Sequence, residues 1–467
     1  MAEYTQNYNL KKPAEEDFYN INDHNDNMDI IDTALKAHDD ALATKETPEG
    51  AQEKADAAET NAKNHANSLV GTLSNLLTTA KNNVVAAINE IFGKVEDVEG
   101  DLESHKADGA QHAKIARFVI GTSTSGWTTS DCDYLCDGTE DQTEINAAIT
   151  ALPAEGGEIV ILDGTYNIAA KIDVTKNNVS IRGNGNATIL KRMFNSSSSE
   201  GVITLTGREG CKIADLRVDG NQAIYSSGYN HGIYLSSSSN NIITGNTCNN
   251  NSSYGIYLSS SNNNSNNITG NTCNNNSYGI YLSDSSNNNT VASNTCSNNT
   301  SYAIYLYLSS NNIITGNRCS NGIGYGISLS SSSRNTVTGN TCNNNSSYGI
   351  SLSSSSSNTV TGNTCNNNSS YGIYLSSSSN STITGNTCNN NNHGIYLSDS
   401  SNNIITGNAC IRGTGLAADY TTSQHTIRLA STNNNYNLIS NNNCMGKAVT
   451  NEGGTGNTLV NNKFDAA

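Results

Sequence analysis

Between about Gly232 and Cys410 the chain repeats one phrase: Thr361-Gly362-Asn363-Thr364-Cys365, a run of Asn and Ser, Tyr371-Gly372-Ile373-Tyr374-Leu375, then a run of Ser. Cysteines mark the period. They stand at Cys248, Cys273, Cys296, Cys319, Cys342, Cys365, Cys388 and Cys410, with a gap of 25 residues, then gaps of 23, then one of 22. A unit this short cannot bury an apolar face alone, so copies must stack, and a period in this range signals a solenoid. Within each unit apolar residues alternate, as Ile256 and Leu258 do around Tyr257, instead of recurring every three or four positions. Gly, Asn and Ser runs interrupt the pattern every few residues, so each copy reads as two or three short strands joined by turns. The stack is a parallel β-helix, with equivalent side chains aligned from turn to turn.

Counting back from each cysteine exposes the columns. Five residues earlier is always apolar: Ile243, Ile268, Val291, Ile314, Val337, Val360, Ile383 and Ile405. Two residues earlier is always asparagine: Asn246, Asn271, Asn294, Asn317, Asn340, Asn363, Asn386 and Asn408. Gly and Asn accept left-handed backbone angles cheaply, and stacked amides can hydrogen-bond up a column, so these residues read as structural. The cysteines fall once per turn at an apolar-like slot and read as small, reduced core residues. Cys132 and Cys136 lack the second pair or nearby His of a zinc site, and a disulfide between them is the alternative.

Charge divides the chain. Residues 1–160 hold 30 of the 41 acidic residues and 11 of the 25 basic ones, leaving the repeats nearly uncharged. With an acidic total and no basic stripe, no nucleic-acid partner is expected. An apolar signal-peptide core and a membrane-length apolar run are both missing from the sequence, so synthesis in a reducing cytoplasm without membrane insertion is expected.

The first third reads as helix and linker. Glu49 to Asn67 is an Ala-rich helical segment, and Val84, Ile88, Ile91, Val95, Val98 and Leu102 follow at alternating steps of four and three. That spacing predicts a coiled-coil seam and self-association, with a docked amphipathic helix as the alternative. A further helix is predicted over Asp141–Leu152, before the strand-like run 156–162, where it would cap the solenoid. The expected organisation is an N-terminal segment over 1–45, a helical stalk over 46–112, a connector and cap over 113–156, and a β-helix of about thirteen turns over 157–467.

Two resemblances follow from these residues. Asp137-Gly138-Thr139-Glu140-Asp141-Gln142-Thr143-Glu144-Ile145, with Gly156-Gly157 and Gly164-Thr165-Tyr166, resembles the start of pectate-lyase-type right-handed β-helix proteins. Tyr8-Asn9-Leu10-Lys11-Lys12-Pro13, Asp17-Phe18-Tyr19-Asn20-Ile21 and Asp29-Ile30-Ile31-Asp32 resemble the N-termini of tail-fibre proteins from phages and prophages of Gram-positive bacteria. Leu77-Thr78-Thr79 and Val84-Val85-Ala86-Ala87-Ile88-Asn89-Glu90 are also similar to segments of such proteins. The tail-fibre resemblance implies attachment to a phage tail or baseplate, a homotrimer, a place in the virion tail, and a distal β-helix meeting host cell-surface polysaccharide.

Catalysis on polysaccharide needs positioned carboxylates. Between Gly232 and Cys410 the charged residues are only Asp284, Arg318, Arg334 and Asp399, and the two acids lie about five turns apart. Asp215, Asp219 and His231, with Arg217 among them and Glu200 and Glu209 upstream, are the enzymatic candidates of a tailspike-like depolymerase. His231 also fills the slot held by Tyr254, Tyr278, Tyr348 and Tyr371 in other turns, as His393 does, which favours a structural role. Binding is the stronger expectation. Tyr234, Tyr257, Tyr281, Tyr305, Tyr374 and Tyr396 alternate against inward Ile and Leu and should form an outward column, broken by Ser328 and Ser351. Tyrosine suits sugar rings and protein interfaces alike, so the column reads either as receptor contact or as a surface buried between protomers or simply solvated, and the tip over Ala417 to Thr432 is the other place for receptor contact. No cofactor or metal is expected; His105 and His112 read as residues of a solvated turn. A non-phage surface adhesin remains the third reading.

Overall fold

The computed structural model describes residues 21–43, 48–69, 116–259 and 264–464. Backbone contacts divide the chain into two units, 1–112 and 113–467. In the first unit, helix α1 spans Ile21–Ala43 and α2 spans Pro48–Leu69. Proline suits the first position of α2, where its missing N–H would have had no helical partner. The seam residues Val84, Ile88, Ile91, Val95, Val98 and Leu102, and His105 and His112, lie outside the described residues.

The second unit is a parallel β-helix of two long sheets, one of 17 strands and one of 12. Each regular turn gives one strand to each sheet, as Thr359–Thr361 and Tyr371–Ser376 do, and a third contact through single-residue bridges such as Thr341↔Thr364↔Thr387. Register never slips through the repeats: Val337 pairs Val360, which pairs Ile383, and Ile350 pairs Ile373, which pairs Ile395. From Gly157–Ile161 to Thr458–Val460 the larger sheet stacks 13 successive rungs and the smaller sheet 12, beside the about thirteen turns that the 23-residue period predicts. The longest connections lie around residues 193–229 and 411–424. The ladder also begins before the expected residue 157, because Arg117–Thr122 pairs in parallel with Gly157–Ile161. That strand follows no repeat, so periodicity carried no trace of it.

The corner of each turn explains the Thr-Gly-Asn phrase. Gly339, Gly362 and Gly385 all sit at φ 62, a left-handed angle that costs glycine nothing, and Ser293 takes the same corner at φ 55. The next residue turns inward. Asn363 donates from its amide to Val337 O at 2.9 Å and to Asn386 Oδ1 at 2.9 Å, while its own Oδ1 accepts from the Asn340 backbone N–H and side-chain amide, both at 2.9 Å. Each amide within the stack thus satisfies backbone on one side and an identical amide on the other, so a polar column survives in the core, with Oδ1 of Asn246 at its first turn left unpaired.

Two more asparagine columns run beside it, one through Asn266, Asn289, Asn312 and Asn335, the other through Asn345, Asn368 and Asn391. A serine column, Ser309 to Ser332 to Ser355 to Ser378, passes backbone N–H bonds to hydroxyls in the same way. Sequence reading found only the first of these four columns.

Between the amide columns lie the apolar ones. Cys248 through Cys410 are all buried, and Cys444 continues the column, while Val218 occupies the same slot one turn earlier. All twelve cysteines are free thiols, Cys132 and Cys136 included. The thiol of Cys132 donates to Thr128 O at 3.3 Å and that of Cys136 to Asp141 O at 3.6 Å. Helix α3, Gln142–Ala151, lays Ile145, Ala148 and Ile149 on the same core.

Candidate binding face

The strand phrase Tyr-Gly-Ile-Tyr-Leu-Ser builds an aromatic surface. In Tyr254–Ser259, Ile256 and Leu258 point into the core, and Tyr257 and Ser259 therefore point out. Simple alternation would turn Tyr254 inward, yet its ring lies 4.8 Å from that of Tyr257, centroid to centroid, on the same outer side. The glycine between them makes this possible. A Cβ at Gly255 would stand 2.6 Å from Gly279 O and 2.9 Å from Asn276 Nδ2, so the backbone itself packs on the core there and both tyrosines are left outside.

Stacked turns convert the pair into two rows. The outer row is the expected one: Tyr234, Tyr257, Tyr281 and Tyr305, then Ser328 and Ser351, then Tyr374 and Tyr396, in continuous register. The inner row runs His231, Tyr254, Tyr278, Tyr302, Tyr325, Tyr348, Tyr371, His393 and His425. Sequence reading saw part of this second row as a slot but did not place it beside the first. The signal was the constant spacing of three, which alternation alone assigns to opposite faces. Most of these rings are half-buried, and Tyr234 is almost fully covered.

The face is electrically quiet. Burial against neighbouring rings pushes Tyr254 and Tyr302 up to about 12, and the hydroxyls of Tyr281 and Tyr348 rise for the same reason. Burial lowers His231 to about 3, aided by the Arg192 charge, and lowers His393 and His425 to about 4, aided by Arg428 and Lys447. The rows are therefore neutral near pH 7. A charge meets them at the far end, where the Arg428 guanidinium lies 5.4 Å from the centroid of the Tyr396 ring and pairs with Glu452 at 2.7 Å.

The enzymatic candidates do not assemble. Asp215 sits exposed at a left-handed corner, φ 52, in register with the corner glycine Gly245. Asp219, four residues on, is held by Arg217 at 2.8 Å and accepts from the Asn221 N–H at 3.1 Å. His231 is fully buried, stacked 4.7 Å from Tyr254, and neither ring nitrogen has a hydrogen-bond partner. Its carbonyl accepts from buried Arg192. Glu200 accepts from Ser196, and Glu209 from Asn240. Asp284 and Asp399 occupy left-handed turn positions, φ 53 and φ 51.

One cluster was not foreseen. Cys136, Asp141 and Glu144 bring their ligand atoms within 4.8 Å of one another. Both Asp141 oxygens are already used, accepting from Gly138 N at 2.8 Å and Asn167 N at 2.6 Å, and burial raises the Cys136 thiol far from ionisation. This is the pattern of a brace between α3 and the first rungs, and a poor one for a cation. Among the described residues no helix is long and apolar enough to cross a membrane.

Comparison with known proteins gives the fold a family. Residues 150–296, 200–364, 279–387 and 314–464 match, in overlapping stretches, the model described as "Right handed beta helix region". No curated protein matches the chain. Among solved structures, the A-module of the Azotobacter vinelandii mannuronan C-5 epimerase AlgE6 superimposes with a TM-score of 0.60 at 17% identity, over 71% of this chain and 97% of that one. The Dettilon tailspike protein gives 0.57 at 17% identity, over 68% of this chain and 66% of its own. Tailspike protein 2 of bacteriophage CBA120, in its enzymatically active domain, gives 0.50 at 16%, over 59% and 46%. Likeness at such identities is likeness of fold alone. The family matches, in contrast, overlap across more than half of the sequence, and the chain belongs to the right-handed β-helix family.

Proposed function

We propose that the protein is a structural, receptor-binding tail fibre of a phage or phage-like particle, whose β-helix meets a glycan on the host surface without cleaving it. The observation that carries this reading is the double aromatic row: two in-register columns of rings on one outer face, uncharged near neutral pH. The apolar side of a sugar packs on ring carbon, its hydroxyls reach tyrosine and serine hydroxyls, and the contact repeats along the row except at the Ser328 and Ser351 rungs. Each contact is weak, roughly 0.5–1.5 kcal/mol for an aromatic pair. A polymer engaging several at once gains by effective concentration.

The placement in a virion tail, the attachment through residues 1–45 and the homotrimer rest on the tail-fibre resemblance of the N-terminal motifs, and the shared fold of two tailspikes agrees with it. The non-enzymatic part rests on the scattered acids: Asp215 is a corner residue, Asp219 is ion-paired and His231 is buried under rings. Two experiments test the reading. Mass in solution should be three times that of one chain, and a monomer counts against the fibre. Purified protein should be retained on host cell walls, and retention should fall when Tyr257, Tyr281 and Tyr374 are replaced together by Ala.

A further inference from the structure

We infer that the ligand of this face is an extended, neutral polysaccharide lying parallel to the helix axis, with successive sugars meeting successive rungs; this rests on the face being a glycan site. Direction comes first. Across the strands a ligand would meet three outward residues per turn, such as Tyr254, Tyr257 and Ser259. Along the axis, from Tyr257 to Tyr305, it meets a new ring at each step, with centroids of Tyr257, Tyr281 and Tyr305 following one another at 5.0 and 5.1 Å. That step is comparable with one pyranose of an extended chain. From Tyr234 to Tyr396 the row runs seven steps in register, about 34 Å at strand spacing.

Neutrality comes second. Beside the outer row stands a hydroxyl row, Ser236, Ser259, Ser330, Ser353, Ser376 and Ser398 in the same strands. The acid nearest the middle of the face is Asp284, which accepts from Ser283 at 2.9 Å, and that serine hydroxyl meets the Tyr257 hydroxyl at 3.1 Å. An anionic polymer would meet this carboxylate and find Arg428 already paired with Glu452. Polymers of uronic acid are therefore disfavoured, even though two structural neighbours are named as mannuronan epimerases.

The break in the outer row gives a second handle. Ser328 and Ser351, each 5% exposed, lie between Tyr305 and Tyr374, with Tyr325 and Tyr348 beside them in the inner row. A polymer along the axis crosses this gap with less contact, so restoring rings there tightens binding. A ligand entering the gap crosswise would be shut out.

The test uses the full chain on an array of neutral oligosaccharides of graded length, printed beside oligomannuronate and oligogalacturonate. Binding is expected only on neutral chains, at least tenfold tighter for heptamers than for dimers, and unchanged between about 0.05 and about 0.5 M salt. Tyr281→Ala should weaken heptamer binding, and Ser328→Tyr with Ser351→Tyr should strengthen it about threefold or more. Circular dichroism checks that each variant keeps its strands, and Tyr281→Phe should retain most of the affinity. Binding to uronates, a loss with salt, flat length dependence, no neutral ligand, or weaker or unchanged binding by the double tyrosine variant overturns the inference. Retention on host walls that persists in any of those cases leaves the receptor-binding reading standing and removes only this ligand.

Discussion

The early turns and the regular stack solve the same packing problem with different chemistry. Through about residue 231 the rungs are tied by ion pairs and loops: Arg182 and Arg117 flank Glu158, Lys171 lies between Asp173 and Glu200, Arg217 holds Asp219, and buried Arg192 reaches Asn230 and His231. From Gly232 to Cys410 those devices give way to amide and hydroxyl ladders, varied only locally, as where Gly322 and Ser381 stand in asparagine columns. An ion pair is a bespoke contact between two side chains, and on a surface it contributes little. A ladder amide is shared by three successive turns and lies in the core, so each one matters to its neighbours. The exterior follows from this: a stack held by uncharged groups inside can also be uncharged outside.

The largest effect that would separate the regions is loss of a ladder amide. Asn363→Ala removes donors to Val337 O and Asn386 Oδ1 and orphans the Asn340 backbone N–H, so a destabilisation of about 3–5 kcal/mol is expected, read as a shift of the denaturant midpoint. A shift below about 1 kcal/mol would mean the ladder is decorative.

Acid comes next. His231, His393 and His425 are held neutral in the folded chain at about 3, about 4 and about 4, below the ordinary 6.5. The unfolded chain then binds more protons between pH 6.5 and 4, so stability is full above 6.5 and falls as pH drops through that window. One unit below 6.5 the loss is at most about 1.4 kcal/mol per histidine. His393→Tyr, which copies the other turns, should remove about a third of the slope.

Steric crowding ranks third. A Cβ at Gly349 would lie 2.6 Å from Gly372 O and 2.8 Å from Cys365 Cβ. Gly349→Val should therefore cost about 1–3 kcal/mol, while Gly349→Ala should cost less, since Ala303 already occupies the equivalent slot of another turn. The smallest effect belongs to the early turns. Arg217→Ala leaves a carboxylate that is partly exposed and still bonded to Asn221, and should cost under about 1 kcal/mol in thermal unfolding.

What the sequence displayed and what it hid divide along the same line. The cysteine, asparagine and isoleucine columns were legible because one residue type recurs at one phase. The other amide columns were not, because in Asn366-Asn367-Asn368 three identical letters point three ways and only Asn368 is buried. The serine column is hidden in the same manner inside Ser353-Ser354-Ser355-Ser356, of which only Ser355 is buried. The outer tyrosine row was visible by alternation, whereas the inner row needs the backbone's turn at glycine, which alternation cannot express. The charged early turns have no repeat, so Arg192 beneath His231 and the Cys136–Asp141–Glu144 brace left no pattern to find.

Binding without turnover is tested most directly by incubating the protein with host wall polysaccharide and measuring, in one sample, bound polymer and new chain ends. Retained polymer with no new reducing ends or unsaturated uronates is the expected result. Steady release of either, abolished by Asp215→Ala or Asp219→Ala, would contradict it and make the early turns, not the aromatic stack, the working part of the molecule.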